Sequence, residues 1–150
     1  ELELQNIRTY IQSGNVIFQD EDSDVQNLEK IIQNKIFDKF RLEVPVLVKE
    51  ITELKEIINN NPFASRKDAI AHSHITFLSS KPLKEDIYNI SDVEFFPDEF
   101  VIIDKIIYLF CPNGYGKTRL TNNFFESKLK VSATTRNLKT LNKLVNIAEK

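Results

Sequence analysis

The sequence predicts an α+β protein whose sheet is largely antiparallel. Two strand-turn-strand patterns, at Ser13-Gly14 and Asp104-Lys105, alternate with segments whose apolar residues recur at helical spacing. Hairpins mixed with crossover helices favour an antiparallel sheet over a doubly wound parallel one. The 150 residues, 41% of them hydrophobic and 28% charged, suit one ordinary globular domain. No apolar run reaches the roughly 18 residues of a membrane span, so no membrane partner is expected.

The first half of the chain predicts the element order β-β-α-β-α. "RTYIQSGNVIF" predicts a hairpin from about Arg8 to Phe18, and Ser23 begins a capping-box pattern for the helix that follows. "VPVLVKE" is typical of a buried strand, from Val44 to Lys49. Thr52 then caps a short helix that Pro62 stops. The apolar residues of the two helices are Val25, Leu28, Ile31, Ile32, Ile36 and Phe40 in the first and Leu54, Ile57 and Ile58 in the second.

The second half predicts β-α-β-β followed by two helices. "HITFLSS" indicates a strand, Pro82 begins a helix, and "FVIIDKIIYLFCP" indicates two further strands. The last two helices are expected from about Thr118 and about Arg136. The apolar positions of the three helices are Leu83 and Ile87, then Leu120, Phe124 and Leu129, then Leu138, Leu141, Leu144, Val145 and Ala148.

Charge is divided unevenly along the chain. Residues 1–112 hold 12 basic and 20 acidic groups, a balance of −8, whereas residues 113–150 hold 8 and 2, a balance of +6. Such a division indicates either an anion-facing surface or a basic terminal helix that packs over an acidic body.

Three phrases carry a resemblance to a known family: "NIRTYIQSGNVIF" at 6–18, "PNGYGKTRLTNNFFESKL" at 112–129 and "ATTRNLKTLNKL" at 133–144. Together they resemble the domain of unknown function 1697 family, a group of small uncharacterised bacterial proteins. The resemblance implies one family domain over 1–150, α+β in class, with two ferredoxin-like (split β-α-β) subdomains at about 1–61 and 62–150. It implies no activity.

The chain departs from the family pattern at its front. Members of the family start with a strand, an Arg-Gly-bearing loop and a helix, of which "ELELQNI" resembles only the helix tail, so the chain is expected to be an N-terminally truncated piece. The absent strand would lie between the Arg8 to Phe18 hairpin and the Val44 to Lys49 strand. An unpaired strand edge left there favours self-association.

The main candidate site is a glycine-bearing, basic loop. Tyr115-Gly116-Lys117-Thr118 follows a predicted strand and precedes a predicted helix, as a phosphate-binding P-loop does. The Walker pattern also needs a glycine where Cys111 stands, so a simple anion site or a structural turn with a helix cap fits better than a nucleotide-hydrolysing loop. The resemblance also implies that Arg can stand at the Lys117 position. The candidate ligand-binding residues of this loop are Asn113, Gly114, Tyr115, Gly116, Lys117, Thr118 and Arg119.

A second turn is predicted to contribute to the same site. Thr134, Thr135, Arg136 and Asn137 place two hydroxyls, a guanidinium and a carboxamide at an expected helix start, which suits phosphate. Helix capping, or an ion pair between Arg136 and the acidic body, explains the same residues.

A secondary candidate lies on the first hairpin. Arg8, Tyr10 and Gln12 alternate, so they share one face of the predicted strand. That face either binds a ligand or faces solvent or the other subdomain.

No cofactor, metal site or catalytic residue is predicted. His72 and His74 are spaced to share one face of a strand, but two ligands do not make a metal site. The single cysteine, Cys111, cannot form an intrachain disulfide, and no signal-peptide pattern opens the chain, so a cytoplasmic compartment is expected.

The sequence thus predicts a protein of unknown function with a small-anion or phosphate-binding surface. The alternatives are an enzyme that acts on a phosphorylated small molecule and a protein- or nucleic-acid-interaction module. A nucleic-acid partner is disfavoured, because the pI of about 5.8 lies below the basic range of dedicated binders.

Overall fold

The computed structural model describes residues 2–10, 14–21 and 24–150. They divide into two compact units: unit 1 holds the described residues up to Lys55 together with Lys143–Lys150, and unit 2 is Glu56–Asn142. Among the described residues, no helix is both long enough and apolar enough to cross a bilayer. The predicted subdomain boundary near residue 61 stays a prediction.

Unit 1 begins with the predicted hairpin. Strands β1 (Gln5–Tyr10) and β2 (Asn15–Gln19) pair antiparallel, and the Asn15 side chain donates a 3.1 Å hydrogen bond to the Tyr10 carbonyl. Helix α1 (Val25–Phe40) follows, as its apolar spacing predicts. Its N-cap is Asp24, whose carboxylate accepts a 3.2 Å bond from the Asn27 amide. The predicted capping residue, Ser23, lies outside the described residues.

The predicted strand from Val44 to Lys49 is wrong. Residues 41–50 form no regular element, and the Val48 amide donates instead to the Glu29 carboxylate at 2.9 Å. A strand needs a partner ladder, and in the described part of unit 1 the two strands pair with each other. Pro45 also lacks the N–H that a ladder would use.

Helix α2 (Ile51–Asn59) ends before Pro62, as predicted, but it begins one residue ahead of Thr52. Thr52 therefore lies in the first turn and is not the cap.

A short helix, α3 (Ala69–His72), was not predicted. His72 ends this helix, so the expectation that His72 and His74 share a strand face is wrong.

Unit 2 contains an antiparallel sheet of four strands in the order β4-β5-β3-β6. The strands are β3 (Ser73–Leu78), β4 (Glu99–Ile103), β5 (Ile106–Phe110) and β6 (Ala133–Asn137). Helix α4 (Lys84–Ser91) connects β3 to β4, and helix α5 (Asn122–Leu129) connects β5 to β6. The resulting β-α-β-β-α-β order, with its last strand beside its first, is the ferredoxin-like split β-α-β arrangement. The predicted α+β class is confirmed.

Several predicted element starts in unit 2 need correction. Helix α4 starts at Lys84, so Pro82 precedes it, and helix α5 starts at Asn122 behind the N-cap Thr121, not at Thr118. The segment predicted to open the last helix is strand β6, and helix α6 (Leu138–Ala148) begins only after it. Asn137 caps α6 by accepting a 2.7 Å bond from the Thr140 amide.

The core of unit 2 lies between one face of this sheet and helices α4 and α5. Leu78, Ile107 and Leu109 of the sheet pack in one buried cluster with Ile90 of α4 and Phe125 of α5. The cluster also contains Phe95 and Leu120, which belong to the loops before β4 and after β5. Both loops are therefore anchored by buried side chains, and they lie next to each other at the candidate site.

A candidate anion cleft

An open cleft of about 500 Å³ lies between the two anchored loops of unit 2. The loop before β4 contributes Phe95, Phe96, Pro97 and Asp98, and the loop after β5 contributes Asn113, Lys117 and Arg119. Three of the seven predicted residues of the 113–119 loop thus line one cleft together. We call it the 95–119 cleft.

The 113–119 loop is a tight turn and not a helix start. Gly114 has φ 92°, in the region that favours glycine, and the following Tyr115–Lys117 segment is a single 3-10 turn. The Gly114 amide donates to the Cys111 carbonyl at 3.0 Å, and the Lys117 amide donates to the Gly114 carbonyl at 3.2 Å. The loop is therefore not the N-terminus of an α-helix, and the amides of Gly114 and Lys117 are already used within the turn. Side chains, not backbone amides, give the loop its positive charge.

Thr118 joins the two loops and is not an exposed ligand. Its buried hydroxyl donates a 2.7 Å bond to Asp98 Oδ2 and accepts a 3.1 Å bond from the Leu120 amide. Because Asp98 and Thr118 belong to different loops, this contact fixes the relative position of the two walls of the cleft.

Arg119 is held at the edge of the cleft by its neighbours. Its guanidinium lies 5.0 Å from the centre of the Phe95 ring, and Nη2 donates a 3.0 Å bond to the Glu94 carbonyl. The side chain stays exposed, so its remaining N–H groups can reach a ligand. Lys117 is also exposed and forms no ion pair with any residue that the structure describes.

Tyr115 contacts the sheet and does not line the cleft. Its ring stacks on His74 of β3, with 4.7 Å between ring centres and 22° between ring planes. Burial lowers the pKa of His74 from its ordinary value, so the neutral ring is favoured. Gly114 and Gly116 also do not line the cleft.

The four predicted residues of the second turn do not line the cleft, because they belong to β6. On one face of that strand, the Thr135 hydroxyl lies 2.7 Å from that of Thr76 and donates to the Asn122 carboxamide. Thr134 and Arg136 alternate with Thr135 and therefore lie on the other face. Burial lowers the pKa of Arg136, and its Nη1 donates to the Thr135 carbonyl at 3.0 Å. Thr134, Thr135 and Arg136 therefore do not lie at a helix start, whereas Asn137 caps α6, as the capping alternative predicts. Anion binding by 134–137 stays a prediction.

The secondary candidate belongs to unit 1. Arg8 and Tyr10 lie on the same face of β1 and are both half-buried, whereas Gln12 lies outside the described residues. The Arg8 Nε atom is buried and has no hydrogen-bond partner among the residues that the structure describes. Ligand binding by this face stays a prediction.

Phe95, Phe96, Pro97 and Asp98 were not predicted as site residues. They precede a strand in a stretch without periodicity, and the loop that they face comes later in the chain. One signal in the sequence was the pair of adjacent aromatic residues before a proline. In an extended segment, successive side chains point to opposite faces, so the two rings cannot both be buried on one face. Phe95 is buried, and Phe96 is 84% exposed.

No three His, Cys, Asp or Glu side chains within residues 2–10, 14–21 and 24–150 come together as a metal site requires. Cys111 is fully buried, and burial raises the pKa of its thiol to about 11, so it does not supply a thiolate nucleophile.

The family model described as "Protein of unknown function (DUF1697)" matches residues 1–108. The chain belongs to the DUF1697 family. The match includes the 6–18 phrase and the Phe95–Asp98 wall of the cleft, and it ends before the 113–119 loop.

One similar solved structure is the conserved bacterial protein SP0830 from Streptococcus pneumoniae, with a TM-score of 0.66 and 23% sequence identity. The alignment covers 99% of this DUF1697 chain and 83% of that chain. At this identity the likeness concerns the fold. No curated protein matches the chain. Neither the family description nor the name of the structural neighbour states an activity.

Proposed function

We propose that this DUF1697 protein binds a small phosphate-like anion in the 95–119 cleft. The observation that carries the proposal is the presence of two exposed cationic side chains, Lys117 and Arg119, on one short loop that lines the cleft. Asn113, on the same loop, adds a carboxamide donor. Guanidinium and ammonium groups with a neutral donor nearby are the groups that bind phosphate oxygens in proteins.

The two cations have different roles in this proposal. Arg119 is already oriented by Phe95 and by the Glu94 carbonyl, so less side-chain freedom is lost when it binds an oxyanion. Lys117, which pairs with no acidic side chain among the described residues, contributes mainly charge. Because both side chains are exposed, the interaction is screened by salt, and affinity falls as ionic strength rises.

A titration with inorganic phosphate tests this proposal. We expect the amide signals of residues 113–119 to move in ¹⁵N NMR spectra at millimolar phosphate and low ionic strength, and Lys117→Ala to reduce the movement several-fold. Lys139→Ala is the matched control, because Lys139 is also exposed and its loss changes the net charge equally. Shifts no larger than those of remote loops, or equal losses in both variants, would contradict an anion site in this cleft.

The single cysteine supports a reducing cytoplasm as the compartment in which this binding occurs.

A further inference from the structure

We infer that the ligand of the 95–119 cleft is a nucleoside monophosphate whose base stacks on Phe96 and whose phosphate lies at Lys117 and Arg119. This inference rests on the proposed anion site and names its ligand. It depends on two groups that an inorganic anion would not use, the Phe96 ring and the Asp98 carboxylate.

Phe96 presents an aromatic ring at the cleft instead of burying it. The side chain is 84% exposed, whereas that of its neighbour Phe95 is 8% exposed. Phe95 is fixed by edge contacts with Phe100 and Phe124, at 5.8 and 5.2 Å between ring centres. The buried ring therefore anchors the segment, and the exposed ring is left available. An exposed ring beside cationic groups is the arrangement on which nucleobases stack in proteins.

Asp98 favours a ligand that carries hydrogen-bond donors in addition to an anionic group. Asp98 lines the same cleft, where its charge repels a nearby anion, and its carboxylate accepts the bond from the Thr118 hydroxyl. A carboxylate has acceptor capacity beyond one bond, so Asp98 can also accept from the hydroxyl or amino groups of a ligand. The site thus suits a molecule with an anionic group at one end and hydrogen-bond donors elsewhere.

Three ligand classes can be compared with these groups. Inorganic phosphate uses only the two cations, and a sugar phosphate uses the cations and Asp98 but offers no flat ring to Phe96. A nucleoside monophosphate uses all three features. The cleft volume of about 500 Å³ falls within the range of small-molecule pockets.

The test compares AMP, ribose 5-phosphate and inorganic phosphate by calorimetry and ¹⁵N NMR at one low ionic strength. We expect AMP to bind about ten-fold more tightly than ribose 5-phosphate, because stacking of one base on an aromatic ring strengthens binding by about five-fold to 150-fold. Phe96→Ala is expected to remove this advantage while leaving the affinity for inorganic phosphate unchanged. Phe96→Trp is expected to keep the advantage.

Tyr88→Ala is the control variant, since Tyr88 is a 68% exposed aromatic residue of unit 2 that does not line the cleft. Equal affinities for AMP and ribose 5-phosphate, with phosphate binding intact, would overturn the nucleotide inference and leave the anion site standing. An AMP advantage that survives Phe96→Ala would overturn the assignment of the stacking ring. Much tighter binding of a thymidine oligomer than of thymidine monophosphate would replace the mononucleotide with a single strand. No binding of any probe, including phosphate, would overturn both proposals.

Discussion

The two units use similar sequence patterns with different results. In unit 2, amphipathic helices cover one face of a four-stranded sheet, and residues such as Ile107, Leu109 and Phe125 are fully buried. In unit 1, helix α1 has apolar residues at the same helical spacing, but none of its residues is buried, and Phe40 is 62% exposed. The described sheet of unit 1 is a single hairpin. The spacing of apolar residues therefore determines which element forms. Whether that element is buried depends on how many layers are present to cover its apolar face.

Hydrogen exchange should show the largest difference between the units. We expect the amides that pair β3 with β5 to exchange at least about a thousand-fold more slowly than those that pair β1 with β2, because core strands open only with global unfolding. Amide exchange followed by NMR measures both ladders in one sample. Similar protection of the two ladders would show that the two units do not differ in local stability.

Phenylalanine truncation should give the next largest effect. Phe125→Ala removes a fully buried ring and should lower the free energy of unfolding by about 3–5 kcal/mol, whereas Phe40→Ala should change it by about 0.5 kcal/mol or less. Urea denaturation followed by circular dichroism checks both variants. A Phe40→Ala loss that approaches that of Phe125→Ala would mean that α1 buries its apolar face against a partner in solution.

Helix caps offer a smaller, matched comparison. Thr121 accepts a bond from the Phe124 amide and Asp24 accepts one from the Asn27 amide, both at 3.2 Å. Thr121→Ala should lower the stability of unit 2 by about 1 kcal/mol. Asp24→Ala should leave that transition nearly unchanged, because α1 belongs to unit 1. Three of the four tyrosines, Tyr88, Tyr108 and Tyr115, belong to unit 2, so tyrosine fluorescence follows its unfolding. Equal losses from the two substitutions would show that the units unfold together.

The smallest expected effect is a pH dependence from His74. In the folded protein, burial lowers the pKa of His74 below its ordinary value of 6.5. As the pH falls, the unfolded chain therefore takes up a proton before the folded protein does. The stabilising contribution of the neutral ring is therefore present above pH 6.5 and is lost as the pH falls towards the lowered pKa. Denaturation midpoints between pH 7.5 and 5.5 should decrease less steeply in His74→Gln than in the parent protein. An unchanged slope would contradict the assignment.

The comparison of units also explains which parts of the fold could be predicted. Hairpins and amphipathic helices are local patterns, so β1-β2, β4-β5 and α1 were recognisable. Strand β6 was not, because the β-branched Thr134 and Thr135 also suit helix caps, and only pairing with the distant Thr76 and Phe77 makes them a strand. The apolar run from Val44 to Lys49 gave the opposite error, since it has the composition of a strand but pairs with no strand in the part of the chain that the structure describes.

The candidate site, like the fold, could be predicted only where a local sequence pattern marks it. Glycines and cations in one loop indicated 113–119, and Asn113, Lys117 and Arg119 do line the 95–119 cleft. The opposite wall depends on the Thr118 to Asp98 contact, which joins residues that no local pattern connects. Residues 134–137 form strand β6 and do not line the cleft, and this placement could not be predicted for the same reason that β6 was missed.

The reactivity of Cys111 can report how often the structure beside the cleft opens. It is the single thiol of the chain, it is inaccessible, and its pKa of about 11 leaves little reactive thiolate at neutral pH. It lies directly ahead of the 113–119 loop and contacts Thr118, so a disulfide reagent can reach it only when that corner of unit 2 opens. The rate at which such a reagent labels the unmodified protein therefore measures local opening beside the cleft. A ligand that bridges the two loops should lower this labelling rate.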